Sequence, residues 1–310
     1  MAYPIENKLV IAVASSALFD LSECDAVFRE KGEEEYRKFQ KENHKVILKK
    51  GIAFPFIKRF LCLNKAYSDE VHPVEVVLLS KNDPDTGLRV FESIKHYKLD
   101  IVRAGFLTGK SPYQYIPAFN ASLFLSADAS DVKQAIDAGY AAGTVLKTQI
   151  KDDPDDLELR IAFDFDGVIV DDQAEKIYQE TKDLDLFLSS EEEKAIEAHD
   201  PGPLKDFFFK LSRFQKLEHE RSKLDPTYKR VLRTAIVTAR NAPAHERVVT
   251  TLNKWGVTVD EAFFLGGIDK SRILNVLKPH IYFDDQMTHL ESAAKNIPSV
   301  HIPFGVVNKK

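Results

Sequence analysis

Cysteine is scarce in this sequence, because Cys24 and Cys62 are the only two among 310 residues. Two widely separated cysteines provide neither a disulfide framework nor the C-x-x-C spacing of zinc and thiol-exchange sites. Long hydrophobic runs are also missing, since no apolar stretch reaches the roughly 18 residues of a membrane span. Residues 9–19 resemble a secretory signal, but they contain two serines and have a counterpart deep inside the chain. We therefore expect a cytoplasmic protein with reduced thiols.

An excess of positive charge is equally absent. Lys and Arg number 43 against 48 Asp and Glu, which gives a formal net charge of −5. Nucleic acids and anionic membranes attract strongly basic surfaces, so neither is expected as a partner. The 13 glycines and 14 prolines are ordinary counts that exclude collagen-like and low-complexity chains. The composition is that of a globular protein in which any phosphate ligand must be bound locally.

Short apolar runs alternate with longer amphipathic stretches along the chain, a pattern typical of α/β proteins. The predicted strands are 9–13, 74–79, 101–106, 123–125, 159–163, 234–237, 262–265, 281–283 and 300–302. One of the predicted helices covers residues 173–186. The charged segment 151–156, interrupted by a proline, has the composition of a linker. Because the chain is about twice the usual size of one domain, we predict two domains, 1–150 and 151–310.

The two predicted domains resemble each other. Residues 11–20 (IAVASSALFD) align with residues 161–170 (IAFDFDGVIV), and three later strand ends recur at a constant separation of 158 residues. These pairs are Ser80 and Thr238, Phe106 and Phe264, and Ser126 and Asp284. A constant separation favours an internal repeat, although any two α/β halves share strand patterns. We therefore predict a first half with an α/β design similar to that of the second.

Polar side chains follow the predicted strands of the second half. Asp164 and Asp166 come directly after strand 159–163 and precede a glycine. An Asp-Gly pair alone is a common turn signal. Three further elements follow in order, namely Thr238, Lys270, and the pair Asp284 and Asp285. Because the carboxyl ends of parallel strands lie at one edge of a sheet, these carboxylates are expected to converge on one cation.

This order of motifs resembles the haloacid dehalogenase superfamily of phosphohydrolases, over residues 159 to about 303. The resemblance implies a Rossmann-like fold with a helical cap at about 172–233, and Asp164 as the nucleophile that forms an aspartyl-phosphate. Asp166 would protonate the leaving oxygen and later deprotonate the attacking water. A dehalogenase is disfavoured, because the second aspartate and the acidic pair serve phosphate chemistry.

The same resemblance implies a magnesium ion held by Asp164, the backbone carbonyl of Asp166, and Asp284. The residues that would contact the phosphoryl group are Thr238, Ala239 and Lys270. Asp285 would orient Lys270 or a metal-bound water. Taken singly, a strand-end Thr is usually a helix cap and a helical Lys is usually solvated, so the prediction depends on the four motifs occurring together.

The first half makes the resemblance narrower. The segments beginning ASSALFDLSE at Ala14 and GIAFPFIKRFLCLN at Gly51, together with residues 74–119, are similar to the class I cytosolic 5′-nucleotidases. That family implies magnesium-dependent hydrolysis of nucleoside 5′-monophosphates to nucleoside and phosphate. Two other functions stay open, a phosphatase of sugar phosphates or other small phosphomonoesters, and a regulatory nucleotide-binding module.

The first half lacks the catalytic residue types. Ala14 and Ser16 stand where the second half has aspartates, and Ser126 with Ala127 replaces the acidic pair. We predict that this half is non-catalytic and walls the substrate pocket, binds an effector or forms a homo-oligomer interface. Candidate contacts to substrate or effector are Arg89, Arg103, Lys110 and, within the aromatic run 207–214 of the second half, Arg213. In the alignment of FLTGK with FLGGIDK, Lys110 is the counterpart of Lys270, although each of these cations is also typical of a surface ion pair.

Overall fold

The computed structural model describes residues 3–67, 72–85, 87–148 and 152–309. The chain divides into two compact units, Met1–Val145 and Leu146–Lys310. In each unit a sheet of parallel strands is flanked by helices, so the prediction of an α/β fold is confirmed. Cys24 and Cys62 are free thiols. None of the helices in the described residues combines the length and hydrophobicity that a bilayer span requires.

The first unit is built around a fully buried central strand. Its elements are β1 (Leu9–Val13), α1 (Ser15–Leu18), β2 (Phe19–Asp20), α2 (Ser22–Glu42), β3 (Lys49–Lys50), α3 (Phe54–Ala66), β4 (Val74–Ser80), α4 (Gly87–His96), β5 (Arg103–Phe106), β6 (Ala121–Ser126), α5 (Ala129–Asp137) and β7 (Ala142–Val145). The parallel strands are ordered β7-β6-β1-β4-β5, and β2 pairs with β3 as a short antiparallel ribbon. Because helices cover both faces of a parallel sheet, β1 and β4 are buried at every residue instead of alternating between buried and exposed positions.

The second unit repeats this arrangement. Its elements are β8 (Leu159–Phe163), α6 (Gln173–Thr181), α7 (Leu184–Glu193), α8 (Lys205–Leu224), β9 (Leu232–Thr238), α9 (His245–Trp255), β10 (Glu261–Phe264), α10 (Lys270–Leu277), β11 (Ile281–Asp284), α11 (Met287–Ala293) and β12 (Ser299–His301). The parallel strands are ordered β12-β11-β8-β9-β10, which is the order of the first unit strand for strand.

The strand register is also the same in the two units. Val13 lies opposite Leu125 in the first unit, and Phe163 lies opposite Phe283 in the second. On the other side of the central strand, Ser80 at the end of β4 lies opposite Phe106 at the end of β5. In the same way, Thr238 at the end of β9 lies opposite Phe264 at the end of β10. The constant separation found in the sequence therefore corresponds to equal strand order and equal register.

The loops that follow β5 and β10 change one predicted correspondence between the two halves. The Lys110 amide donates to the Leu107 carbonyl at 3.1 Å, as the Ile268 amide donates to the Leu265 carbonyl at 3.1 Å. Since Leu107 and Leu265 are equivalent, Lys110 corresponds to Ile268, and its predicted match to Lys270 is wrong. Lys110 is exposed, whereas Lys270 is buried at the start of α10.

The predicted cap at 172–233 is too long, because α8 is part of the core. The rings of Phe207 and Phe208 lie 6.2 and 5.2 Å from the ring of Phe163 in β8, and both phenylalanines are buried. Helix α8 also contacts the start of β9, because its Glu218 carboxylate accepts hydrogen bonds from the amides of Val231 and Leu232. The part of the range that lies over the strand ends is α6 and α7. A predicted helix at 173–186 is broken between them, where Asp183 caps α7 by accepting from two backbone amides.

Candidate active site

Asp164 stands directly after β8 and is fixed by its backbone and by both carboxylate oxygens. Its amide donates to the Phe283 carbonyl at 2.8 Å, which continues the sheet ladder by one residue. Its Oδ1 accepts from the Phe165 amide at 2.7 Å, and its Oδ2 lies 2.8 Å from Lys270 Nζ. Only 4% of the residue is exposed. One edge of the carboxylate faces the cavity described below, as a nucleophile requires.

Lys270 bridges the first and last motifs. It is the first residue of α10, whose N-cap is Asp269, and this position directs the side chain toward the strand ends. Its Nζ lies 2.8 Å from Asp164 Oδ2 and 2.8 Å from Asp284 Oδ2. The structure thus brings together three predicted residues that are far apart in sequence. Burial raises the pKa of Asp164, the Lys270 ammonium opposes that effect, and neighbouring carboxylates add to it.

Asp284 is the most enclosed of the carboxylates, with no exposed surface. The Tyr282 hydroxyl donates to its Oδ2, and the Gln286 amide donates to its Oδ1 at 2.8 Å. His289 Nδ1 lies 3.3 Å from the same Oδ2. Tyr282 and His289 were not identified from the sequence, although both flank the acidic pair closely in the chain.

Asp285 packs against the turn of the first motif. Gly167 has φ of +68°, and a Cβ on it would lie 2.6 Å from Asp285 Oδ2, so only glycine fits there. Asp285 Oδ1 is buried and has no hydrogen-bond partner among the described residues. Burial, Asp164 and Asp284 together raise the pKa of Asp285 well above its usual range. Of the predicted roles, contact with Lys270 is not observed, since that ammonium pairs with the other two carboxylates.

This donor set suits a hard divalent cation. Ligand atoms of Asp164, Asp284 and His289 all lie within 4.8 Å of one another. Asp164, Asp284 and Asp285 are buried carboxylates beside a single buried ammonium, that of Lys270, which pairs with the first two. Within the described parts of the chain, Asp285 Oδ1 has no hydrogen-bond partner. Oxygen donors of this kind bind Mg²⁺, whereas the nearby imidazole is a better ligand for transition metals. The residues present therefore fit the predicted metal.

A cavity of about 270 Å³ opens at these strand ends. It is lined by Asp164, Asp166, Glu175, Gln179, Leu184, Phe187, Thr238, Ala239, Arg240, Asn241, Gln286 and His289. Thr238, the last residue of β9, is buried, and its hydroxyl accepts from the Arg240 amide at 3.2 Å. The predicted nucleophile, acid and two phosphate contacts thus share one cavity.

Arg240 is the main residue that sequence reasoning missed. Its Nε and Nη2 donate to the two carboxylate oxygens of Asp166, each at 2.7 Å. The guanidinium lies between the rings of Phe165 and Phe187, 5.5 and 5.7 Å from their centroids. Such a two-pronged contact fixes the plane of the carboxylate as well as its position. In the sequence, the feature that could have identified Arg240 is its position two residues after Thr238, the threonine of the second motif.

Glu191 connects this arginine to helix α7. Its carboxylate accepts from Arg240 and, at 2.7 Å, from Arg247 of α9, while His199 Nε2 lies 3.4 Å away. Burial would raise the pKa of Glu191, but hydrogen bonds and charges from His199 and Arg240 outweigh it and lower the pKa to about 2. The helix over the cavity is therefore anchored to the residue that holds Asp166.

Glu191→Gln is expected to reduce the free energy of unfolding by about 3 kcal/mol at neutral pH, because two buried guanidinium groups lose a shared carboxylate. The folded-state pKa of Glu191 is lowered from 4.5 to about 2, so its stabilisation is present above pH 4.5 and lost as the pH falls toward 2. Urea unfolding across this range should show the two proteins converging in acid. The exposed Glu192→Gln on the same helix is the control, and a constant difference between Glu191→Gln and the wild type would contradict the assignment.

The four candidate cations lie elsewhere, since none of them lines the described cavity. Arg89 is buried and donates from Nε to the Val46 carbonyl at 2.8 Å, and Arg103 pairs with Glu75 at 2.6 Å. Lys110 is exposed in a loop of the first unit, and Arg213 is exposed on α8. Arg89 and Arg103 therefore have internal partners within the first unit.

In the first unit, neutral and paired groups occupy the positions that carry acids in the second. Ser15, between the two positions that are aspartates in the second unit, has its Oγ 2.8 Å from Oγ of Ser80, the counterpart of Thr238. The Ala127 amide donates to Ser16 Oγ at 3.4 Å. Asp128 and Asp131 stand near this strand end, but Lys81 neutralises both, at 2.7 and 2.9 Å.

The parallel order of strands in each unit is that of a Rossmann-like α/β protein, and in the second unit acids follow the central strand. A family model described as 5′-nucleotidase matches residues 1–309, and the chain belongs to this family. It is 36% identical over 297 residues to human cytosolic 5′-nucleotidase 1B, an alignment that covers 94% of this chain and 48% of that protein. The chain thus spans about half the length of this curated relative. The predicted resemblance to the class I cytosolic 5′-nucleotidases is confirmed, and no solved structure matches the chain significantly.

Proposed function

We propose that this protein is a cytoplasmic, magnesium-dependent 5′-nucleotidase that converts nucleoside 5′-monophosphates to nucleoside and phosphate. The observation that carries the proposal is the contact of Lys270 with both Asp164 and Asp284 beside a cavity that Asp166 and Thr238 also line. This arrangement supports the proposal that a nucleophile, an acid and a phosphate-binding cation act together at the cavity. The family of the chain supports the nucleotide substrate.

In the first step the Asp164 carboxylate attacks phosphorus, and the bond from phosphorus to the nucleoside oxygen breaks. Asp166 gives a proton to that oxygen, so the nucleoside leaves as a neutral alcohol. The Thr238 hydroxyl and the Ala239 amide donate to the phosphoryl oxygens, and Lys270 neutralises their charge. In the second step Asp166 takes a proton from water, whose oxygen attacks phosphorus and releases Asp164.

Asp164, Asp284 and the Asp166 carbonyl are the groups proposed to hold Mg²⁺, with Asp285 beside them. When bound, the cation lessens the repulsion between the carboxylate and the anionic ester. Arg240 positions Asp166 by donating to both of its oxygens, so one of these two hydrogen bonds must open before Asp166 carries the proton that it gives to the leaving oxygen. Helices α6 and α7 line the side of the cavity away from the strand ends and exclude water from the intermediate.

A panel of phosphomonoesters assayed with Mg²⁺ and with EDTA tests the function. We expect nucleoside 5′-monophosphates to give the highest kcat/KM, and chelation to remove nearly all turnover because the carboxylate cluster then lacks its counter-charge. Thermal unfolding adds a readout independent of turnover, since Mg²⁺ should raise Tm. Preference for sugar phosphates would show a general phosphatase, and nucleotide binding without turnover would show a regulatory module.

A further inference from the structure

The cavity has two chemically different sides. At the strand ends lie Asp164, Thr238 and the amide of Ala239, which serve the phosphoryl group in the proposed mechanism. A second part of the lining comes from α6 and α7, which contribute Glu175, Gln179, Leu184 and Phe187. The mechanism uses none of these four side chains.

Glu175 is a hydrogen-bond acceptor in the lining of this cavity. Its Oε1 accepts from Gln179 Nε2 at 2.6 Å, one turn further along α6, and Lys182 donates to the Gln179 amide oxygen. Among the described residues, Gln179 is the one hydrogen-bond partner of the Glu175 carboxylate, which leaves Oε2 available. Burial raises the pKa of Glu175, so the carboxylate is partly desolvated and gains from a donor.

The charge of this side determines the orientation of the substrate. The donors that a phosphate dianion needs, among them Lys270 and the Thr238 hydroxyl, are at the strand ends, whereas the Glu175 carboxylate can only accept and repels it. The phosphate therefore lies at the strand ends and the neutral part of the ester at α6 and α7. Phe187 adds an aromatic ring, and Leu184, 55% exposed, adds an apolar surface. One acceptor, one amide and one ring match a nucleoside, which has O–H and N–H donors and a flat base.

Resting on the proposed function, we propose that Glu175 determines substrate specificity by accepting a hydrogen bond from an O–H or N–H donor of the nucleoside. Gln179 holds the carboxylate in place, and Phe187 contacts the nucleoside beside it. A ribose hydroxyl and a base N–H provide the same chemistry, so the substrates of the test must separate them.

Glu175→Leu removes the acceptor with little change in size, and Glu180→Leu, an exposed glutamate of the same helix, is the matched control. Three substrates are compared, namely AMP, ribose 5-phosphate and p-nitrophenyl phosphate. The nitrophenyl group of the last substrate has no hydrogen-bond donor. For AMP we expect kcat/KM to fall by about 10- to 100-fold, mainly through KM, with p-nitrophenyl phosphate unchanged. If kcat/KM for ribose 5-phosphate falls as much as that for AMP, the donor is a ribose hydroxyl. If kcat/KM falls for AMP but not for ribose 5-phosphate, the donor is a base N–H.

Equal losses on all three substrates, or no loss on any, would overturn this assignment of Glu175. Glu175→Gln keeps an acceptor oxygen and the side-chain shape, so it is expected to retain more AMP activity than Glu175→Leu and allows the test if the leucine variant folds poorly. Failure of the proposed function is seen separately, in the wild-type protein, as absence of turnover of every nucleoside monophosphate.

Discussion

Asp164→Asn is expected to lower kcat by at least about 10⁴-fold, because the amide cannot form the covalent phosphoryl intermediate. The substitution is nearly isosteric, and the side-chain oxygen can still accept from the Phe165 amide, which donates to Asp164 Oδ1 at 2.7 Å. Substrate binding should therefore persist while turnover is lost. Steady-state kinetics on AMP, with binding measured by calorimetry, separate the two effects.

The control for this variant is Asp206→Asn, at a 60% exposed side chain that pairs with Lys210 on α8. It should leave kcat unchanged. Rapid-quench experiments with ³²P-labelled substrate provide a direct test, since the wild-type protein should trap label on Asp164 and the variant should not. More than a few per cent of wild-type turnover in Asp164→Asn would mean that another group attacks phosphorus.

Lys270→Met is expected to reduce both activity and stability. Its ammonium is the buried cation 2.8 Å from both Asp164 and Asp284, so removing it leaves two carboxylates uncompensated in the interior. Breaking a buried pair of this kind costs about 3–5 kcal/mol of unfolding free energy. Loss of a positive charge on the transferring phosphoryl group should lower kcat by about 10³-fold.

Magnesium gives this second prediction an internal check. Because a divalent cation supplies the missing positive charge, Mg²⁺ should raise the Tm of Lys270→Met more than that of the wild type. Lys254→Met, at an exposed position near the end of α9, should change neither the Tm nor the activity. If Lys270→Met kept wild-type turnover within tenfold, Lys270 would be a structural residue only.

The limits of the central strands were predicted well because they depend on residues that are neighbours in the chain. Strand β1 is an uninterrupted apolar run and β8 is apolar except for Arg160, and the predicted limits of both strands match the structure. Helix ends were predicted less well. The helix predicted at 173–186 breaks into α6 and α7, since Asp183 caps the second helix and Lys182 has φ of +53°. Such breaks depend on one or two side chains.

The extent of the cap was misjudged because periodicity cannot tell which surface a helix covers. Helices α7 and α8 are both charged and amphipathic in sequence. Only packing shows that α8 places Phe207 and Phe208 on the sheet, whereas α7 places Phe187 in the cavity. The same limit applies to Lys110, whose alignment by residue type was two positions away from the one that backbone hydrogen bonds define.

The sequence alone determined the α/β class, the family and the order of the four motifs, because each depends on residue types at fixed spacing along the chain. It also showed the repeat with acids in one half only. The tertiary structure decided which side chains meet. The contacts of Arg240 with Asp166 and of Glu191 with Arg247 depend on the directions of several elements at once, as does the position of Glu175 in the cavity lining. Contacts between residues distant in sequence are set by strand order and helix packing, and no local pattern encodes them.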